Sequence, residues 1–66
     1  MTVSVNGADR QVPEGTTFAA LLVELGLDVR SVAVARNDEV VRRADLGHER
    51  IARGDRIEII KAVAGG

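Results

Sequence analysis

Thr2-Val3-Ser4-Val5-Asn6 alternates polar and apolar side chains, the period-two pattern of a strand buried on one face. Asn6-Gly7 follows as a tight-turn signal, because both residue types tolerate positive φ. Residues 9–12 can return as a short edge strand, which Pro13 stops. The pattern then changes period. Phe18, Leu21, Leu22 and Leu25 fall at i, i+3, i+4 and i+7, one face of an amphipathic helix of about ten residues. Thr16 or Thr17 offers the capping hydroxyl. Gly26 predicts a left-handed stop, with Leu27 folding back on the last turn. Residues 31–35 return to strand period, with Val32 and Val34 on one face and the small Ala33 and Ala35 on the other. Asn37-Asp38 predicts a turn and Val40-Val41 a short fourth strand. Residues 42–50 are polar around one apolar anchor, Leu46, and suit a loop or a single helical turn. Ile51 is a second anchor and Gly54-Asp55 another turn. Residues 56–60 form the last strand, with Ile57 and Ile59 inward and Ile60 outward.

The predicted order is β-β-α-β-β-turn-β, in which one amphipathic helix must bury its stripe on one face of a sheet. The sequence has 66 residues, room for one hydrophobic core. Its 45% apolar and 29% charged content is that of a globular chain. It contains no cysteine and one histidine, His48, which excludes disulfides, cysteine nucleophiles and thiolate or His-rich metal sites. Nine basic side chains against ten acidic ones give a formal charge of −1, so bulk charge gives no support for nucleic-acid binding. Phe18 is the single aromatic, and base-stacking platforms need several. No apolar run approaches the roughly 20 residues of a membrane span, and the first residues lack the basic-then-apolar layout of a signal peptide. A cytoplasmic protein is expected. Ligand clefts of about 300–1,000 Å³ are hard to enclose in so short a chain, so the composition favours a protein that is acted upon or that binds a partner.

The most informative local feature is Gly65-Gly66. Two glycines there cost backbone entropy and have nothing to pack, so they read as a slim arm. From Lys61 that arm spans about 20 Å when extended. With this tail in view, the whole chain resembles the ubiquitin-like β-grasp sulfur carriers, and among them the ThiS family of thiazole-biosynthesis carriers. The resembling stretches are Val5-Asn6-Gly7, Gly15-Thr16-Thr17 with Leu21-Leu22, Ala33-Val34-Ala35-Arg36-Asn37, Val40-Val41, Gly54-Asp55 and Ala62-Val63-Ala64-Gly65-Gly66. The chain departs from many relatives at Arg42, where they carry proline, and at Leu46, where they carry an aromatic.

The resemblance implies an α+β fold, a ubiquitin-like β-grasp of about five strands with one helix across a mixed sheet. Its first and last strands would be parallel neighbours in the centre. Residues 1–60 would form the domain and 61–66 a flexible reactive tail. The resemblance also implies a carrier, not an enzyme, with no catalytic residue, metal or bound cofactor of its own. Gly66 would be adenylated with ATP by an E1-like adenylyltransferase and converted to a thiocarboxylate by a persulfide sulfur donor protein. It would then give its sulfur to thiazole synthase. Gly65, Ala64 and Val63 would be read by the partners as the tail enters them, and glycine, having no side chain, lets the end of that tail thread a narrow channel. Ile60 and Ala62 would belong to the partner-binding surface. Nucleic acid and membrane are not expected partners.

Three other functions share parts of this pattern. The small subunit of molybdopterin synthase has the same tail chemistry, in chains that usually run longer and hold more aromatics. A ubiquitin-like modifier would end in an isopeptide bond to a lysine. A β-grasp interaction or RNA-associated module would not need Gly65-Gly66. Among the remaining polar residues, Arg42, Arg43, Arg50, Arg53 and Arg56 could steer docking onto an acidic partner. The simpler reading is a solvated face in which Asp45, Glu49, Asp55 and Glu58 balance them. His48 reads as a surface loop residue.

Overall fold

The computed structural model describes residues 1–61. Strands β1 (Thr2–Val5) and β2 (Ala8–Gln11) form the first hairpin, followed by helix α1 (Phe18–Glu24), strands β3 (Val32–Arg36) and β4 (Glu39–Val41), and strand β5 (Arg56–Lys61). Single 3₁₀ turns occupy Val29–Ser31 and Arg43–Asp45. The five strands form one sheet in the order β2-β1-β5-β3-β4. β1 and β5 are parallel neighbours at its centre, in register Ser4 with Arg56 and Val5 with Ile57. The hairpins β1–β2 and β3–β4 are antiparallel, as is the β3–β5 pair. This is the ubiquitin-like β-grasp arrangement that the resemblance implied, and the element order is the one predicted from the sequence.

Both hairpins turn on the residues the sequence marked. Asn6 and Gly7 have φ of 50° and 84°, and Asn37 and Asp38 of 49° and 72°. Two consecutive positive φ values give the type I′ geometry that matches strand twist.

The helix is shorter than the ten residues expected, because it is closed at both ends. Thr17 caps its start by accepting from Ala20 N–H at 3.1 Å. The other early N–H groups are taken by the 46–49 loop: Phe18 donates to the Glu49 carbonyl at 3.3 Å and Ala19 to the Leu46 carbonyl at 2.9 Å. With its first donors so occupied, the helix start has little left to offer an anion. At the other end Gly26 (φ 74°) donates to Val23 and Leu27 to the Leu22 carbonyl. That is the Schellman pattern, in which a left-handed residue releases the chain from the helix. Leu25, expected inside the helix stripe, is therefore the C-cap and only partly buried.

Phe18, Leu21 and Leu22 pack with Val3, Val34, Ile57 and Ile59 from the helix-facing side of the sheet, and Leu46 and Ile51 close the core beside the helix start. Full burial of each such side chain contributes roughly 1.5–3 kcal/mol. β5 continues to Lys61, which pairs with Val32. The rest of the 61–66 segment lies outside the described residues.

Candidate functional site

The residue the sequence analysis put at the reaction centre, Gly66, lies outside the described residues, as do Gly65, Ala64, Val63 and Ala62. Within them lie the strand that leads to this segment and the surface around it. β5 is central in the sheet. It is held on one side by β3, through pairs that run from Arg36–Ile57 to Val32–Lys61, and on the other by β1. Beyond the last β1 pair, the Asn6 side chain bonds both backbone groups of Ile59. The segment to Gly66 thus leaves from a firmly held strand.

Ile60 is 64% exposed and faces away from α1, as expected. It is not alone there. Directly opposed residues in an antiparallel pair point to the same side. Ile60 opposes Ala33, and Ala35 opposes Val40, which is 76% exposed. The helix-free face therefore carries an apolar stripe of Ile60, Ala33, Ala35 and Val40 beside the root of the final segment. Val40 was not singled out from the sequence; its register against Ala35, set by the Asn37-Asp38 turn, brings it to the stripe. Arg56 and Glu58 lie on the same face of β5.

The basic residues of the second half are mostly engaged within the chain. Arg42 bonds Asp45 at 3.1 Å, Arg53 lies 3.8 Å from Glu14 and Arg56 bonds Asp38 at 2.6 Å. Arg43 donates to the Arg30 carbonyl at 3.2 Å. These pairings favour the solvated-face reading over a docking patch. Asp55 departs from that reading. It is 6% exposed, not a solvated balancing charge. Its Oδ2 accepts from Arg36 Nε at 3.0 Å and Ala52 N–H at 2.8 Å, and its Oδ1 from Asn37 Nδ2 at 3.2 Å. The reason is topological: the chain enters β5 under the end of β3, so the Gly54-Asp55 turn is covered by Arg36 and Asn37. His48 is an exposed loop residue with its Nε2 3.3 Å from Asp45.

A groove of about 370 Å³ beside β4 is lined by Arg36, Val41, Arg42, Asp45 and Glu49 among others. Both arginines are already paired, Arg36 with Glu49 and Arg42 with Asp45. Among the described residues no cluster of three or more acidic, His or Cys side chains is placed to hold a metal ion, and no helix is long and apolar enough to cross a membrane.

A family model, three curated relatives and a solved structure resemble the chain. The family model described as "ThiS family" matches residues 3–66. The chain is 39% identical over 66 residues to a thiazole synthase of Paramagnetospirillum magneticum, all of this chain aligning with 20% of that protein. A thiazole synthase of Magnetococcus marinus is 36% identical over the same span, again with 20% of its length covered. The chain thus spans about a fifth of the length of these two relatives. The sulfur carrier protein ThiS of Thermus thermophilus is 31% identical over 64 residues, covering 97% of this chain and 98% of that one. Among solved structures, the thiamine biosynthesis protein (ThiS) from Geobacter metallireducens superposes with a TM-score of 0.85 at 29% identity, over the whole of both chains.

Proposed function

The chain belongs to the ThiS family, and from that premise we propose that it is a sulfur carrier in thiamine (thiazole) biosynthesis, a co-substrate of partner enzymes and not itself an enzyme. The single observation that carries this reading is the family match through residue 66, which brings Gly65-Gly66 into the aligned region. The β-grasp agrees with it, because its central last strand leads directly into that segment. The match to thiazole synthases favours the thiazole pathway over molybdopterin synthesis.

The chemistry requires a free carboxylate on Gly66. A carboxylate is a poor electrophile, so an E1-like adenylyltransferase joins it to the AMP portion of ATP and releases pyrophosphate. The terminal sulfur of a persulfide donor protein then attacks the activated carbonyl and AMP leaves, giving an acyl disulfide. A thiol attacks the donor-side sulfur of that disulfide, which frees the thiocarboxylate and leaves a new disulfide on the donor system. Thiazole synthase accepts the sulfur. The carrier binds no cofactor in this scheme; ATP is held by the activating partner, and the sequence of steps takes place in the cytoplasm. Glycine at positions 65 and 66 leaves the carbonyl carbon unshielded and lets the partner's backbone approach closely. Val63 and Ala64 are read with them, and Ala62 and Ile60 extend the docking surface.

Intact-mass spectrometry tests the reading. After incubation with ATP, the activating enzyme and a sulfur source, the chain should gain the mass difference between one sulfur and one oxygen atom. An unchanged mass, under conditions that convert a control carrier, overturns it.

A further inference from the structure

β1 makes its last ladder pair with β5 at Val5, opposite Ile57, and then turns back through Asn6-Gly7. β5 continues to Lys61. On its β3 side it stays paired, Ile60 with Ala33 and Lys61 with Val32. On the side β1 has left, the Asn6 carboxamide stands in for a strand. Its Oδ1 accepts from Ile59 N–H at 2.8 Å and its Nδ2 donates to the Ile59 carbonyl at 3.2 Å. Asn6 is itself fixed, because its backbone N–H donates to the Ile57 carbonyl at 2.9 Å. Two bonds to both polar groups of one residue set its position and orientation, as a ladder pair does.

We propose that Asn6 is a positioning residue for the tail chemistry: by clamping Ile59 it sets where and in what direction the chain leaves the sheet towards Gly66. The proposal rests on the carrier reading above and deepens it. Gly66 follows Ile59 by seven residues, a connection of about 25 Å at most. Without the clamp the end of β5 is held from one side only. A partner that draws in the final residues must then also order the end of the strand, and each residue ordered costs backbone entropy. Such a cost is borne on binding, so it appears in KM and not in the turnover of bound carrier.

Asn37 supplies the internal comparison. It is the other left-handed asparagine whose carboxamide bonds β5, with Oδ1 accepting from Arg56 N–H at 2.9 Å. It fixes the beginning of β5, not its end.

The test compares Asn6→Gly, Asn6→Asp and Asn37→Gly in the full chain. Asn6→Gly keeps a residue suited to the turn and removes both bonds to Ile59; Asn6→Asp keeps an acceptor and loses the donor. Amide hydrogen exchange is read at Ile60, whose N–H is not one of the groups the Asn6 side chain bonds, and at Leu21 in the core helix. Thiocarboxylate formation is measured with the activating enzyme, ATP and a sulfur source while the carrier concentration is varied. For Asn6→Gly, exchange at Ile60 should accelerate about tenfold more than at Leu21, and KM should rise roughly five- to tenfold with kcat nearly unchanged. Asn6→Asp should fall between this variant and the parent, and Asn37→Gly should leave KM unchanged. Equal acceleration at Ile60 and Leu21, an unchanged KM in Asn6→Gly, or the same KM rise in Asn37→Gly overturns the proposal. If Asn6→Gly does not fold, Asn6→Asp decides on the same criteria. A parent chain that gains no sulfur overturns the carrier reading and the positioning role with it, whereas a converted parent with an unaffected Asn6→Gly overturns the positioning role alone.

Discussion

Arg36 and Asp55 form the charged joint of the fold: Arg36 Nε donates to Asp55 Oδ2 at 3.0 Å, and the Asp55 side chain is 7% exposed. From this point Arg36 reaches three further groups. It pairs with Glu49 at 3.2 Å, donates to the Arg50 carbonyl and lies 4.8 Å from the centroid of the Phe18 ring. One residue thus ties the end of β3 to the start of α1, the 49–50 loop and the start of β5. Removing the Asp55 carboxylate takes the acceptor from Ala52 N–H and Asn37 Nδ2 and leaves Arg36 with only Glu49 and the Arg50 carbonyl, and a part-buried donor left without its acceptor is costly. Asp55→Ala should therefore destabilise the protein by about 2–4 kcal/mol, and Asp55→Asn by somewhat less because it keeps part of the hydrogen bonding. In a domain of this size each kcal/mol lowers Tm by roughly 4–8 °C. Thermal unfolding followed by circular dichroism checks this, and a Tm within 2–3 °C of the parent for Asp55→Ala would contradict the joint, by about the same scale.

That joint was the part of the fold the sequence concealed. Gly54-Asp55 reads locally as a turn, and it is one. Nothing within a few residues of Asp55 announces that Arg36 and Asn37 will cover it. Asn6 is similar: its place in a turn follows from Asn6-Gly7, but Ile59, the residue its side chain holds, is 53 positions away. What was legible depends on short-range spacing. The Phe18, Leu21 and Leu22 stripe, the Gly26-Leu27 stop, the two Asn-led turns and the alternation of Ile57, Ile59 and Ile60 are all local signals, and each has its expected place. The helix is shorter than its apolar spacing implied because Leu25 is used to close it. Of the candidate site, Ile60 was legible from strand alternation, whereas Val40 needed the β3–β4 register.

Gly26 should be intolerant of a side chain although there is room for one. A Cβ built there meets nothing within 4 Å, but the backbone is at φ 74°. Gly26→Ala should then cost about 1–2 kcal/mol through backbone strain alone. Chemical denaturation should show a lower midpoint with an unchanged slope. Equal or greater stability in this variant would mean that the left-handed stop is not needed.

Ile60→Asp places a charge in the exposed apolar stripe with little to disturb in the core. Stability should change by about 0.5 kcal/mol or less, as for most surface substitutions. Affinity for the activating enzyme should fall about tenfold or more, the loss of a central apolar anchor. Isothermal titration calorimetry measures the second quantity. An unchanged affinity would remove the stripe from the docking surface.

Two carboxylates, the exposed Asp28 and the half-buried Asp45, give the acid response its sign. The backbone N–H and side chain of Arg30 hold the Asp28 carboxyl below its ordinary value of 3.8. The Arg42 side chain does the same for Asp45, with a smaller contribution from His48. A pKa lower in the folded state means that the unfolded chain takes up protons first. The stability from these groups is therefore complete above about pH 4–5 and is lost as pH falls through the lowered values. Urea midpoints should be flat from neutral pH to about pH 5 and decline below about pH 4. Arg42→Ala should make that acid decline shallower. An acid decline as steep as the parent's in this variant would show that the Asp45 pair does not contribute.

The most direct test of the carrier reading is a single-turnover transfer of isotopically labelled sulfur. The chain is first converted with a heavy-sulfur donor, then purified from the activating enzyme and mixed with thiazole synthase and its other substrates. The predicted result is heavy sulfur in the thiazole product, in step with return of the chain to its original carboxylate mass. A product that forms without the label, or a labelled chain that never loses it, would contradict the account.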